Sequence, residues 1–172
     1  MGNKTNNLLT KYRFPNKTYD LDLSNKNING SVIADIVEAF QNASARVSLR
    51  SLNIAHNIIT NSSDIERILA ALPSSITNLN MSYVDHTDNG FSINSFSRLG
   101  YLTGLQSLDV SRIAFSSYHN NVIGQILQNL FQLRELRLRW LYTNLTQVAQ
   151  ALKPSLQLLD LSCHPSFNAL ND

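Results

Sequence analysis

Apolar residues recur along this chain in two alternating periods. Short stretches of period two begin at Tyr19 (YDLDLSNKNI), Leu49 (LRSLNIAHNII), Ile76 (ITNLNMSYVDH), Leu105 (LQSLDVSRIAF), Leu133 (LRELRLRWLYT) and Leu156 (LQLLDLSCHPS). Each contains a leucine, any residue, then a second aliphatic. The leading leucines are Leu21, Leu52, Leu79, Leu108, Leu136 and Leu159, in steps of 31, 27, 29, 28 and 23 residues. Alternation of this kind predicts a strand with one buried face.

Between the strands the period changes to that of an amphipathic helix. The first gap places Val32, Ile33, Ile36, Val37 and Phe40 on one face, entered through Gly30-Ser31. The second has Ile65, Ile68, Leu69 and Leu72, with Ser63 and Glu66 spaced as a capping box and Pro73 as a stop. The third, with Ile93, Phe96, Leu99 and Leu102, is the weakest. The fourth has Val122, Ile123, Ile126, Leu127 and Leu130, with Asn120 and Asn121 available as caps. The fifth has Leu145, Val148, Ala149 and Leu152 before Pro154. A strand followed by a helix, five times over, predicts an α/β solenoid whose repeats bury their apolar faces against one another.

These segments resemble leucine-rich repeats, in which L-x-x-L-x-L is followed by x-x-N/C-x-L. The repeat lengths and helical gaps are most similar to the ribonuclease-inhibitor-like class, over about residues 19–165. The resemblance implies about six repeats, with a curved parallel sheet on the concave side and helices on the convex side. It also implies an asparagine that ties down backbone groups in the turn after each strand. Only Asn57 holds that place; Lys26, Val84, Ile113, Leu141 and His164 stand there elsewhere. Irregular turns are therefore expected. Residues 1–18 are expected to cap a single repeat domain spanning 19–172, through Leu8, Leu9, Tyr12 and Phe14. Beyond Leu161 little apolar sequence remains, so the last strand is expected to be an edge open to self-association.

Residues alternating with the buried leucines line the open face. The first column reads Asp20, Ser51, Asn78, Ser107, Glu135, Leu158, and the middle one Asp22, Asn53, Asn80, Asp109, Arg137, Asp160. The third reads Ser24, Ala55, Ser82, Ser111, Arg139, Ser162. These three are mostly small and polar, as a solvated face requires. The rim column differs, with Asn25, His56, Tyr83, Arg112, Trp140 and Cys163. Trp, Tyr and Arg are the types enriched at interface hot spots. His56, Tyr83, Arg112, Arg137, Arg139 and Trp140 are thus the candidate partner-binding residues. A second reading stays open, in which Trp140 covers the next turn and the arginines pair with Glu135 and Asp160.

Composition narrows the picture. The 26 Leu and 21 Asn suit many short apolar elements closed by many turns. A net charge of +2 argues for neither a nucleic-acid nor a membrane partner, and one Cys excludes a disulfide framework. Seven N-x-S/T triplets begin at Asn3, Asn16, Asn29, Asn42, Asn61, Asn80 and Asn144, and read as Asn-rich turns. The opening residues carry no secretory apolar core, so a cytoplasmic location is expected.

Chemistry is sparse. Cys163-His164 suggests an activated thiol, but neighbours along a strand point to opposite faces. His56, His86, His119 and His164 are dispersed, and DHTD at residues 85–88 reads as a solvated turn. No catalytic residues, metal ligands or cofactors are expected. The expected function is a non-catalytic module binding a protein. Degenerate repeats with few cysteines also resemble leucine-rich-repeat effectors of intracellular bacterial pathogens, which implies a host protein as partner and delivery without a classical signal peptide. The alternatives are a GTPase-activating or other regulatory repeat protein, or a fragment of a larger repeat-containing enzyme.

Overall fold

Six three- to five-residue strands carry the Leu-x-aliphatic pairs: β1 Tyr19–Asp22, β2 Leu49–Asn53, β3 Asn78–Asn80, β4 Ser107–Asp109, β5 Glu135–Arg137 and β6 Leu158–Asp160. In this computed structural model, which describes residues 19–43, 49–59, 61–84, 96–113, 121–141 and 143–163, they form one sheet in chain order. Every pairing is parallel. Leu21, Leu52, Leu79, Leu108, Leu136 and Leu159 stand opposite one another in a single row. The architecture is thus α/β with an all-parallel six-stranded sheet.

Among the described residues, strands are followed by the α-helices α1 Gly30–Ala43, α2 Ser62–Ala71, α3 Val122–Leu127 and α4 Leu145–Ala151. In the third gap the described residues begin with α-helical Phe96 and Ser97 and run into a 3-10 helix, Arg98–Tyr101; the expected N-terminal half of that helix lies outside the described residues. Its apolar residues still do their work, since Phe96, Leu99 and Leu102 are buried. Helix residues and the first five leucines of the row form one core, to which each fully buried Leu or Ile contributes about 1.5–3 kcal/mol. Parallel sheets usually have both faces covered. Here the other face is furnished with Asp20, Asn78 and Ser107, which tolerate water.

Capping follows Asn more than the sequence pattern suggests. Asn61, not Ser63, caps α2: its side chain accepts from the Ser63 N–H at 3.0 Å, and Ser63 lies inside the helix. Glu66 consequently closes no capping box and faces Arg98 at 3.9 Å. Asn29 accepts from the Val32 N–H at the start of α1, and Asn144 from the Gln147 N–H at α4. Asn121 precedes α3 but makes no side-chain cap, because its oxygen accepts from the Asn144 amide at 3.2 Å.

The two ends differ. Leu21 is 8% exposed, whereas Leu159, in the same row, is 38% exposed, with Leu158 and Leu161 also accessible. The expected cap residues Leu8, Leu9, Tyr12 and Phe14 lie outside the described residues, as do 164–172.

Candidate interaction surface

The middle column closes the turn after each strand. The side-chain oxygens of Asp22, Asn53, Asn80, Asp109 and Asp160 accept from the backbone N–H two residues on, at 2.9–3.1 Å. These are Asx-turns, available to Asp and Asn because their short side chains reach back to the backbone. Arg137 cannot make one, and the Arg139 N–H donates instead to the Ser111 hydroxyl at 3.2 Å.

The residue directly after each of these N–H groups is left-handed. Asn25, His56, Tyr83, Arg112, Trp140 and Cys163 have φ between 53° and 58°. They are the rim column, residue for residue. The conformation of the first four is locked by the continuing ladder: the N–H groups of Asn25, His56, Tyr83 and Arg112 donate to the carbonyls of Ala55, Ser82, Ser111 and Arg139 at 2.8–3.1 Å. The turns are therefore uniform, contrary to the expected irregularity. The Asx-turns and the interstrand ladder satisfy most of what a repeated asparagine would. Only Asn57 performs the fuller role, accepting from Lys26 and Ile28 and donating to the Leu23, Ile54 and Ala55 carbonyls. Where Val84, Ile113 and Leu141 replace it, the side chain joins the apolar core.

This bend also corrects the third column. Ala55, Ser82 and Ser111 are buried rather than solvated, because the turn has already ended strand alternation. Arg139 occupies the same column with a much larger side chain. Its Nε is buried without a hydrogen bond, 3.6 Å from Asp160 Oδ2, although the side chain as a whole is partly exposed. Arg137 pairs with Glu135 at 3.0 Å, and Glu135 also accepts from the Ser107 hydroxyl. Both arginines thus have the carboxylate neighbours that the second reading named. The Ser162 hydroxyl and N–H hold the Asp160 carboxyl below the usual carboxylate range, with Arg139 and Arg137 adding to the effect.

On the rim itself three side chains stack. The His56 and Tyr83 rings lie 4.5 Å apart between centroids and 20° from parallel, and the Arg112 guanidinium sits 5.3 Å over the Tyr83 ring. Trp140 continues the row and is 52% exposed. Cys163, the last of the row, is exposed; its suggested partner His164 lies outside the described residues, as do His86, His119 and the 85–88 turn. Among the described residues no three His, Cys, Asp or Glu side chains cluster as metal ligands would.

A second surface went unread in the sequence. On the helix side, Tyr101 and Phe131 border a groove between the 3-10 helix and α3. Neither residue belongs to the strand columns, and no periodic signal marks them.

Compared with models of known protein families and with curated proteins, the chain matches none.

Proposed function

We propose that this chain is a leucine-rich-repeat protein of the ribonuclease-inhibitor-like class, and a non-catalytic module that binds a protein partner along the rim of its sheet. The observation that carries the reading is the left-handed row. A non-glycine residue in this conformation costs about 1–2 kcal/mol, and Gly or Asn would relieve most of it. Asn25 stands at the first such turn; His, Tyr, Arg and Trp stand at the next four. Backbone strain held in common by large, accessible side chains is the pattern of a surface selected for what it presents.

The repeat assignment is supported by the single leucine row and by Asn57, which makes in one repeat the turn contacts expected of the family. Arg112 over Tyr83 and the exposed indole of Trp140 supply large flat areas with polar handles, the usual material of hot spots. Arg137 and Arg139 flank them as a charged border.

The location we propose is cytoplasmic, of this cell or of a host that receives the protein. No helix among the described residues is long and apolar enough to cross a membrane. Four of the N-x-S/T asparagines have structural employment, as helix caps (Asn29, Asn61, Asn144) or in an Asx-turn (Asn80). The test is parallel affinity capture from cell lysate with the wild type and with Tyr83→Ala/Trp140→Ala. A protein retained by the first and lost from the second supports the proposal; identical captures contradict it.

A further inference from the structure

The groove beside Tyr101 and Phe131 has the size and lining of a separate peptide site, with a cation against each wall. Its volume is about 480 Å³, inside the roughly 300–1,000 Å³ span of ligand pockets. Val122 and Ile126 form an apolar floor, and Gly100 adds a bare stretch of backbone beside Asn129 and Ile126. Tyr101 and Phe131 are the walls. They are 76% and 63% exposed, the most accessible of the large apolar side chains described. An aromatic pair left in water on either side of an apolar floor is a surface awaiting cover.

The described lining is uncharged, and a cation lies against each of its two walls. The Arg98 guanidinium lies 6.0 Å over the Tyr101 ring, and the Lys153 ammonium 4.8 Å over Phe131. Arg98 shares Glu66 at 3.9 Å, but among the described residues Lys153 has no carboxylate within ion-pair distance. Among the described residues the lining contains no carboxylate. Gln125 and Thr103 offer neutral hydrogen-bonding groups at the edges, suited to a peptide backbone.

We infer that this groove docks a peptide segment in which a bulky apolar side chain is flanked by carboxylates. The apolar side chain seats on Val122 and Ile126 between the two rings. The carboxylates meet Lys153 first and Arg98 second. This surface is on the helix side, apart from the rim, so the two are separable by mutation.

The probe is a phage-displayed library of random peptides, selected on the wild-type protein; the enriched peptides are then titrated by fluorescence anisotropy. The expected consensus is an aromatic or large aliphatic residue beside Asp or Glu. Phe131→Ser should weaken these peptides about tenfold or more, and Lys153→Glu by a similar factor with loss of salt dependence. Gln125→Trp, which fills the groove from the exposed side of α3, should also abolish binding if Phe131→Ser fails to fold. Trp140→Ala should leave them unaffected, which separates this inference from the rim proposal. A basic consensus, equal enrichment on the Gln125→Trp protein, or a wild-type dimer that Phe131→Ser dissolves would overturn the inference, the last by seating a second copy in the groove.

Discussion

His56 stacks on Tyr83 across one repeat, ring on ring at 4.5 Å, while both residues hold a left-handed backbone. The stack and the strain have one origin. The left-handed turn points each rim side chain the same way, and the strand register sets successive rings one strand apart, about 4.8 Å. A favourable contact between neighbours, about 0.5–1.5 kcal/mol for an aromatic pair, then offsets part of the backbone cost.

Trp140 bears the same strain, and among the described residues no ring stacks on it, so it separates backbone from side-chain effects most cleanly. Trp140→Gly should be more stable than Trp140→Ala by about 1 kcal/mol, since only Gly occupies this region without penalty. Denaturant unfolding of the two variants checks it; equal midpoints would show that the turn is not strained.

Asn57 is 1% exposed and serves five backbone groups in two successive turns. Asn57→Ala should cost about 3 kcal/mol or more, because several buried donors and acceptors lose their partner together. Asn57→Asp should be no better, as it keeps the acceptor but removes the amide donor and buries a charge. Thermal unfolding measures both.

Acid should loosen the turns at the two ends of the sheet. The carboxyls of Asp22 and Asp160 lie below their ordinary value because Ser24 and Ser162 donate to the ionised form. A carboxylate depressed in the folded state contributes its full stabilisation above the unfolded value near 3.9, and loses it as pH falls through the lower folded value. The unfolding midpoint should therefore drop from about pH 4 downwards. Asp160→Asn keeps the Asx acceptor without the titration and should flatten that slope.

Gly124 lies where α3 meets α4. A Cβ there would stand 2.9 Å from Gln147 Cβ and 3.2 Å from the Gln147 carbonyl, so backbone must give way. Gly124→Ala should destabilise by about 1–2 kcal/mol, since overpacking outweighs the roughly 1 kcal/mol that Ala gains over Gly in a helix. A stabilised variant would show that the two helices separate easily.

The strands, their parallel order and the apolar helix faces were legible because they rest on periodicity, and Leu52, Leu79, Leu108 and Leu136 all lie in the core row. The rim residues could be listed from register, but their left-handed backbone could not, since His, Tyr, Arg and Trp carry no sign of it. At His56, Tyr83 and Arg112 that conformation comes from the ladder of neighbouring carbonyls, a long-range constraint. The same bend buried Ala55, Ser82 and Ser111, where strict alternation had placed them in water. The helix-side groove was unreadable for a different reason: it lies between the 3-10 turn and α3 and is walled by aromatics outside every repeating column.

The rim proposal is tested most directly by the dissociation constant of a captured partner for the wild type and for Trp140→Ala, with the unfolding midpoint of both. The chain has one Trp, so the substitution removes a single, half-exposed indole. The account predicts weaker binding by about 2 kcal/mol, roughly thirtyfold, with the midpoint almost unmoved. An unchanged dissociation constant together with a sharply lowered midpoint would contradict it, and would make Trp140 a structural cover for the adjoining turn.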